Sequence, residues 1–193
     1  MTIYYQVLRM REISIVSGNR HKVDELMPLA KAHGIRLKWI NYSKVEIQAD
    51  GISDIARAGG ILAYAALGVP LIVEDTGIFI SALKGFPGPY SAQAYKTIGL
   101  EGILTLLKGR KSRKAEFRTA ICYAGDEDTV VFEGVVHGTI ATRIRGGRDF
   151  GYDPIFIPEG HTKAYSEMEL AEKNSASHRA AAFEKFAEYL SRK

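Results

Sequence analysis

The stretch Ile13-Ser14-Ile15-Val16-Ser17-Gly18-Asn19-Arg20-His21-Lys22 decides the fold class of this chain. Its first four residues are predicted to form a buried strand, and the apolar residues after Lys22 recur at helical spacing as far as residue 30. A glycine-containing turn therefore joins a strand to a helix N-terminus, where unpaired N–H groups and the helix dipole favour a phosphate. Taken alone, residues 17–22 lack the glycine spacing of the established phosphate loops and favour an ordinary strand–turn–helix connection.

The composition predicts a single compact domain over residues 1–193. Of the 193 residues, 46% are hydrophobic and 25% charged, which suits one globular domain with two lobes. Residues 1–9 precede the first predicted strand and are expected to be an N-terminal extension. No apolar run approaches the roughly 20 residues of a membrane span, so no membrane partner is expected.

Charge and cysteine content narrow the expected partners and compartment. The single cysteine, Cys122, excludes an internal disulfide, indicates a reducing cytoplasm and is predicted to be a buried, inert thiol. The net charge of +4 and the pI near 9.1 agree with an anionic ligand. The basic run 110–114 contains no aromatic residue and is interpreted as a solvated loop, so no nucleic acid is expected as a partner.

Alternating strand and helix patterns in the first half of the chain predict an α/β fold. Pro28 predicts a kink or an early end of the first helix, and Ser53 is the predicted N-cap of the second. We expect a central mixed β-sheet flanked by helices, with two lobes and the active-site cleft between them. The predicted strands lie at 13–16, 35–47, 71–73, 117–123 and 130–144 around a hairpin turn at 125–128, and the predicted helices lie at 20–32, between Ser53 and Gly68, around 100–107 and at 178–190.

Two adjacent acids follow the predicted strand 71–73 in the sequence Glu74-Asp75-Thr76-Gly77. Open α/β sheets place ligands beyond the carboxyl ends of their strands, and successive side chains of a strand point in opposite directions. One acid is thus expected to face the cleft, where it would hold Mg²⁺ together with phosphate oxygens. An acidic turn in which Gly77 supplies a positive φ fits equally well. Glu46, a lone acid between β-branched residues, is on local grounds an exposed strand position.

Two irregular segments are candidate walls of the site. The loop 85–91 contains two glycines and two prolines and is predicted to be rigid, either as a wall of the site or as a purely structural loop. Glycines flank Phe150 and precede Tyr152, so the backbone can approach a flat ligand on which one of these rings stacks. A turn with a core aromatic explains the second segment as well.

The start of the last helix carries an electrostatic conflict. Ser177 is the predicted N-cap, which places His178 and Arg179 on the first turn with Lys173 just upstream. Cations there oppose the helix dipole unless an anion is present. An arrangement that is locally unfavourable indicates a functional site.

Together these segments resemble the inosine triphosphate pyrophosphatase family, the XTP/dITP diphosphatases that hydrolyse deaminated purine nucleotides. The motifs occur in the family's order from about residue 13 onward, and their spacing is most similar to the archaeal branch. The matching segments are 17–22, 73–77, 85–91, 150–156, 172–174 and 177–179.

The resemblance implies a role for each matching residue. Asp75 corresponds to the catalytic carboxylate and to a magnesium ligand, Glu46 to a second metal ligand, and Lys22 to a phosphate contact. Two features of the family are not clearly matched: Ala92 and Gln93 stand where some members have a basic residue, and Arg57 is the nearest candidate for a helix lysine. The implied substrate-binding residues are Ser17, Gly18, Asn19, Arg20, His21 and Lys22 of the turn, Thr76 and Gly77, and the base-binding set Phe150, Gly151, Tyr152, Asp153, Lys173, His178 and Arg179.

The implied reaction is Mg²⁺-dependent hydrolysis of ITP, dITP and XTP between the α and β phosphates, and the implied assembly is a homodimer. Donors from Lys173, His178 or a backbone N–H would pair with the 6-oxo group of the base and leave the amino group of adenine unpaired. Two alternatives stay open. One is a non-catalytic nucleotide- or RNA-binding protein, which would need neither Glu46 nor Asp75. The other is a related pyrophosphatase for other modified nucleotides.

Overall fold

One mixed β-sheet carries helices on its two faces. The computed structural model describes residues 11–42, 45–147 and 150–193. The strands within these ranges are β1 (Arg11–Val16), β2 (Ile35–Ile40), β3 (Leu71–Ile80), β4 (Pro87–Gly88), β5 (Lys114–Ala124), β6 (Thr129–Ile140) and β7 (Phe156–Pro158). The α-helices there are α1 (Arg20–Ala32), α2 (Ile52–Leu67), α3 (Ser91–Leu106), α4 (Leu170–Ser175) and α5 (His178–Ser191). The predicted α/β fold with a central mixed sheet is confirmed.

The sheet changes from parallel to antiparallel at β3. The strand order is β2-β1-β3-β5-β6-β7, and the short β4 pairs with β3. β1 lies parallel to β2 and β3, whereas the remaining pairs are antiparallel. β1 pairs with β3 only at Ser14↔Leu71 and Ile15↔Ile72. The rest of β3 therefore extends past the carboxyl end of β1, on the side where the turn leads into α1.

The strand predicted at 71–73 is much longer in the structure. β3 pairs with β5 from Leu71↔Ala124 to Ile80↔Ala115, and this unbroken antiparallel ladder carries it through Glu74–Gly77. The expectation of a strand end at Val73 is therefore wrong, and Gly77 is not among the residues with positive φ. Because side chains alternate along a strand, Glu74 and Asp75 face opposite sides of the sheet, as expected.

Different helices cover the two faces of the sheet. α1 and α5 pack on one face, and α2 packs on the other. A third apolar cluster lies farther along the sheet and includes residues of α3. Representative buried residues are Ile15, Leu26, Ile72 and Phe183 under α1 and α5, Val16, Ala56 and Val73 under α2, and Ile78, Leu100, Phe117 and Phe156 in the third cluster.

The core is interrupted along one face of β3. Ile72 belongs to the cluster under α1 and α5, and Ile78 on the same face belongs to the third cluster. Glu74 and Thr76 lie between them, so polar groups separate the two apolar clusters at this point. This polar break is the place where the cleft predicted between two lobes would lie.

Most helix boundaries agree with the sequence, and the differences have local causes. α1 continues through Pro28 because its buried residues Leu26 and Ala30 hold it on the sheet. α2 begins after Gly51, because the Ser53 hydroxyl donates to Glu133 of β6 instead of capping the helix. β2 ends at Ile40, and residues 41–42 and 45–51 have no regular structure. Residues 43 and 44 of the predicted strand 35–47, and residues 1–9, lie outside the described residues.

Two glycines allow helices to lie unusually close to the sheet. At Gly60 of α2 an added Cβ atom would lie 2.6 Å from the Sγ atom of Cys122. That thiol is fully buried, and burial raises its pKa to about 11. At Gly134 of β6 an added Cβ would lie 2.0 Å from the His178 carbonyl oxygen and 2.5 Å from the Ala182 nitrogen. Gly134 therefore sets how closely the first turns of α5 approach the strands.

No helix in the described parts of the chain is long and apolar enough to cross a membrane.

We expect Gly134→Ala to lower the free energy of unfolding by about 1–3 kcal/mol, because the new methyl group meets backbone atoms of α5 that cannot rotate away. Thermal unfolding followed by circular dichroism measures the change. The matched control is Val135→Thr at the next position of β6, where the side chain is 40% exposed. Equal melting temperatures for the two variants would contradict the role given to Gly134.

Candidate active site

The turn before α1 is held in place by β2. Trp39 donates from Nε1 to the Ser17 carbonyl oxygen at 2.9 Å, and the Ser17 N–H donates to the Ile40 carbonyl oxygen at 3.2 Å. The Asn19 side chain makes no capping hydrogen bond, and the first turn of α1 contains no acidic residue. The N-terminus of α1 thus keeps its partial positive charge available to an anion.

The basic side chains of this turn face different surroundings. Arg20 pairs with Asp24 at 2.7 Å on the surface, and its guanidinium lies 4.8 Å from the centroid of the Trp39 ring. His21 is exposed, whereas Lys22 is partly buried and contacts Glu74. Arg20 thus contacts the edge strand β2, whereas Lys22 connects the first turn of α1 to Glu74 of β3.

Six ionisable side chains form one buried cluster, which we call the ion-pair cluster. Three are basic and three are acidic, so the formal charge of the cluster is balanced when all are ionised. A buried charge is costly unless it is paired, and each member here has at least one partner of opposite sign. The members are Lys22, Glu25, Glu74, Asp153, Lys173 and Arg179.

Two basic side chains from two different helices pair with Glu74. Lys22 Nζ lies 2.6 Å from its Oε2, and Arg179 lies 3.0 Å from its Oε1 through Nη2. Burial alone would raise the pKa of Glu74, but the charges of Arg179 and Lys22 outweigh burial and hold that pKa well below its usual range. Burial likewise opposes the charge of Arg179, but Glu74 and Glu25 raise its pKa above the usual range. Glu74 and Arg179 are thus both ionised.

Glu25 of α1 is the second bridge of the cluster. Its Oε1 lies 2.6 Å from Lys173 Nζ, and its Oε2 pairs with Arg179. Although burial alone would raise the pKa of Glu25, the charges of Arg179 and Lys173 lower it. Lys173 also pairs with Asp153, whose pKa is raised by burial despite that contact. Glu25 thereby ties α1 to α4 and α5.

Two threonines connect Glu74 to His178. Thr76 of β3 donates to the Glu74 carboxylate, and its Oγ1 lies 2.6 Å from Oγ1 of Thr119 on β5. Thr119 Oγ1 in turn lies 2.6 Å from His178 Nδ1. The His178 ring stacks on Phe117, with ring centroids 4.6 Å apart and an interplanar angle of 18°. β5 therefore fixes both the plane and one edge of the imidazole.

The start of α5 resolves the predicted electrostatic conflict within the protein. Ser177 is the N-cap, accepting a hydrogen bond from the Ala180 N–H at 3.0 Å, which agrees with the expected cap. Burial, followed by the charge of Arg179, keeps the pKa of His178 well below its ordinary value, so this imidazole is neutral. The charge of Arg179 is met by Glu74 and Glu25. The anion that the sequence argument required is therefore supplied by carboxylates of β3 and α1.

Phe150 is the aromatic ring beside the ion-pair cluster. Its centroid lies 5.1 Å from Lys173 Nζ and 5.9 Å from the Arg179 guanidinium carbon. The exposed ring of His21 lies 5.4 Å from it. Phe150 therefore joins the turn before α1 to the base-binding set expected from the sequence. Arg148 and Asp149, just before it, lie outside the described residues.

Tyr152, the other candidate for stacking, lies in the hydrophobic core. It is 5% exposed, and its hydroxyl donates to the Ser91 carbonyl oxygen at 2.8 Å. Gly151 before it has a φ of +46°, a conformation that favours glycine. Of the two rings, the structure brings Phe150 and not Tyr152 to the cluster.

Asp75 faces the side of the sheet that α2 covers, together with Leu71 and Val73. Its side chain is 8% exposed. Glu46 is exposed and lies in the segment between β2 and α2. Among the residues that the structure describes, no group of three or more His, Cys, Asp or Glu side chains is arranged to hold a metal ion.

Gly77 completes the acidic motif by packing against the predicted rigid loop. An added Cβ at Gly77 would lie 2.5 Å from the Gly88 carbonyl oxygen. The Ser91 hydroxyl donates to the same oxygen at 2.6 Å and accepts from the Ile78 N–H at 2.9 Å. The loop 85–91 is thus bound to the end of β3, next to the polar part of the strand.

A cavity of about 750 Å³ lies away from these residues. It is lined by side chains that include Phe79, Lys84, Arg118, His137 and Glu159. Arg118 lies over the Phe79 ring at 4.5 Å, and His137 lies 3.0 Å from Glu116. None of these groups belongs to the ion-pair cluster, so we do not assign the cavity to the active site.

Sequence reasoning missed Glu25 and Thr119. Glu25 lies three residues after Lys22 and therefore on the same side of α1, yet it interrupts the apolar face formed by Val23 and Leu26. Thr119 stands among the inward apolar residues of β5, between Phe117 and Ile121. A polar residue within a buried apolar row was the available signal in both cases.

We expect Glu25→Gln to destabilise the protein at neutral pH by about 3–5 kcal/mol, because Arg179 and Lys173 lose a buried countercharge. The folded-state pKa of Glu25 is lowered, so its stabilising contribution is present above the ordinary carboxyl pKa and is lost as the pH falls. The difference in melting temperature between wild type and Glu25→Gln should accordingly shrink toward acidic pH.

Asp24→Asn is the matched control, since it makes the same change one residue earlier. Asp24 is about half exposed and pairs with Arg20 four residues before it, an interaction of about 0.3–0.5 kcal/mol. The prediction is wrong if the two variants lose the same stability, or if the Glu25→Gln difference does not depend on pH.

Known proteins resemble the chain over almost its whole length. The model of the Ham1 family matches residues 13–189. A dITP/XTP pyrophosphatase of Saccharolobus solfataricus is 47% identical over 179 residues, which cover 93% of this chain and 93% of that protein. A dITP/XTP pyrophosphatase of Hyperthermus butylicus is 45% identical over 183 residues, covering 95% and 96% of the two chains.

Solved structures agree with this relationship. A HAM1 protein from Coxiella burnetii superimposes with a TM-score of 0.83 at 28% identity, covering 95% of this chain and all of that one. The Staphylococcus aureus Ham1 protein gives a TM-score of 0.80 at 28% identity, with 94% and 98% covered. Sequence motifs, fold and relatives lead to the same assignment, and this chain belongs to the Ham1 family.

Proposed function

We propose that this protein is a nucleoside-triphosphate pyrophosphatase that converts ITP, dITP and XTP to the monophosphate and pyrophosphate. The observation that carries the proposal is that Lys22 and Arg179 meet on one carboxylate, Glu74. Lys22 belongs to the turn expected to bind phosphate, and Arg179 to the residues expected to bind the base. A ligand with a phosphate chain at one end and a purine at the other fits this arrangement. The relatives named dITP/XTP pyrophosphatase support dITP and XTP as substrates.

The phosphate chain would bind at the N-terminus of α1. The backbone N–H groups of the turn 17–22 supply donors, and Lys22 supplies a mobile charge. Lys22 is 20% exposed, whereas Arg179 is 1% exposed. Lys22 can therefore turn from Glu74 to a phosphate while Arg179 keeps Glu74 neutralised.

The base would bind beside Phe150. This ring offers a stacking surface with the Lys173 ammonium next to it, and His178 belongs to the same set of residues expected to bind the base. Asp153 and Glu25 hold Lys173, so the ammonium is fixed before the substrate arrives. A preorganised polar site rejects a base whose edge leaves its groups unpaired.

Asp75 is the proposed general base and, with Glu46, the proposed holder of Mg²⁺. Carboxylate oxygens are suitable donors for this ion, which keeps several waters and uses one or two carboxylates plus substrate phosphates. Bound Mg²⁺ would offset the negative charge of the phosphates. Asp75 would accept the proton of the attacking water as the bond between the α and β phosphates breaks. We also propose the homodimer and the cytoplasmic location that the family resemblance implies.

We expect pyrophosphate release from ITP, dITP and XTP in the presence of Mg²⁺, with much slower release from ATP and GTP and none in EDTA. Asp75→Asn should lower kcat by about 10²–10⁴-fold, because it keeps the shape but removes the basic charge. The control is Asp54→Asn on the exposed side of α2. Tight ITP binding without turnover would indicate a nucleotide-binding protein, and a preference for pyrimidine triphosphates would indicate another modified substrate.

Lys22→Ala and His178→Ala should have different effects on selectivity. Lys22 is placed to meet the phosphates that all triphosphates share, so its loss should lower kcat/KM for ITP and ATP alike, by roughly 10- to 100-fold for a charge-assisted bond of about 1.5–3 kcal/mol. His178 is placed to meet the base, so its loss should narrow the difference between ITP and ATP. If His178→Ala lowers kcat/KM for ITP and for ATP by the same factor, the base-reading role of His178 is wrong.

A further inference from the structure

The two threonines between Glu74 and His178 determine where protons lie in this part of the site. The chain of contacts runs from Glu74 to Thr76, from Thr76 to Thr119 and from Thr119 to His178. Glu74 lies between Lys22 and Arg179, so its carboxylate is ionised and can only accept hydrogen bonds. The single hydroxyl proton of Thr76 is therefore directed to Glu74.

The position of the Thr76 proton determines the direction of the hydrogen bond between Thr76 and Thr119. Thr76 Oγ1 and Thr119 Oγ1 are 2.6 Å apart, and a contact this short between two hydroxyl oxygens requires a proton between them. The Thr76 proton is already used, so Thr119 is the donor. Arg179 Nη2 approaches the same Thr76 oxygen at 3.3 Å as a second donor, which agrees with Thr76 acting as acceptor there. The Thr119 hydroxyl also lies 3.3 Å from Glu74 Oε1, a second acceptor on the same side as Thr76.

Thr119 has no proton left for the imidazole. Its oxygen lies 2.6 Å from His178 Nδ1, so Nδ1 must carry the proton of that hydrogen bond. Burial keeps the pKa of His178 low, and a neutral imidazole carries one N–H only. Nε2, the other ring nitrogen, makes no hydrogen bond to any residue that the structure describes.

We propose that Thr119 is a positioning residue that holds His178 in the Nδ1–H tautomer, so that Nε2 accepts a hydrogen bond from the N1–H group of a 6-oxopurine. The inference rests on the proposed function for the identity of the ligand, but the tautomer follows from the protein alone. It reverses the polarity expected from the sequence, in which His178 donates to the 6-oxo group.

This polarity explains why adenine is a poor ligand. Hypoxanthine and xanthine carry a proton on N1, whereas N1 of adenine is unprotonated and presents a lone pair. Adenine would place its lone pair against the lone pair of His178 Nε2, and an unpaired buried acceptor is costly. The His178 ring cannot tilt away from this contact, because stacking on Phe117 fixes the plane of the imidazole. Guanine also carries N1–H, so His178 does not reject guanine and another group must do so.

The direct test is the tautomer of His178 in the free protein. Long-range ¹H–¹⁵N correlation spectra of protein labelled with ¹⁵N-histidine distinguish protonated from bare ring nitrogens. The chain has five histidines, and the His178 signals are those lost in His178→Gln. We expect a protonated Nδ1 and a bare Nε2. A protonated Nε2 with a bare Nδ1 overturns the proposal, whether or not the protein hydrolyses ITP.

Variants of Thr119 test the consequence for selectivity. Thr119→Val keeps the shape of the side chain but removes the hydroxyl, so His178 is free to change tautomer. We expect kcat/KM for ITP to fall roughly two- to tenfold, as for one neutral hydrogen bond, while ATP is unchanged or improves. Thr119→Ser keeps the hydroxyl and should show the wild-type ratio of kcat/KM for ITP to kcat/KM for ATP. Thr139→Val on β6, outside this chain of contacts, is the control.

The outcomes separate the two proposals. Absence of pyrophosphate release from ITP by the wild-type protein contradicts the proposed function but leaves the tautomer measurement valid. If the wild-type protein hydrolyses ITP but Thr119→Val lowers kcat/KM for ITP and ATP by the same factor, the selectivity role of Thr119 is wrong. If Thr119→Val does not fold, the spectrum of the wild-type protein still decides the tautomer.

Discussion

The buried carboxylate of Glu74 is the constraint on which the rest of the site depends. It lies in the middle of β3, between two apolar clusters, where an unpaired charge could not be tolerated. Lys22 reaches it from α1 and Arg179 reaches it from α5. The position of each helix on the sheet is therefore fixed by charge pairing as well as by apolar packing. If the N-terminus of α1 binds phosphate and the start of α5 binds the base, as we propose, the same carboxylate also sets the distance between the two ends of the ligand.

Charge balance makes the site one unit. Glu25 joins Arg179 to Lys173, Lys173 joins Glu25 to Asp153, and two threonines extend the network to His178. An electrostatic site is most effective when its groups are oriented before the substrate arrives. Here the orienting contacts come from several elements, namely α1, β3, β5, α4 and α5, so rotation of a single side chain does not break the whole network. Lys22 is the partly exposed member, which is why we propose that it exchanges Glu74 for a phosphate.

Local sequence patterns predicted the elements well, and long-range contacts account for what they missed. The turn before Lys22, the helix at 20–32 and the Ser177 cap depend on neighbours in the chain, and the structure agrees with each. The length of β3 depends on pairing with β5, about forty positions away, so the acids wrongly looked like the end of a strand. Glu25 and Thr119 gain their roles only from partners on other elements. The motifs that made the family recognisable contain only their partners: Lys173 and Arg179 contact Glu25, and Thr76 and His178 contact Thr119.

The single thiol of the chain is sealed between α2 and β5. Gly60 brings the helix onto the sulfur, and burial raises the pKa of Cys122 to about 11. A thiolate is the species that reacts with maleimides and disulfide reagents, so this thiol is nearly silent toward them at neutral pH. The wild-type sequence is consequently a ready background for spectroscopy: a cysteine introduced beside Phe150 would take up a fluorophore or spin label alone, and nucleotide entry could be followed from one reporter without first removing a native residue.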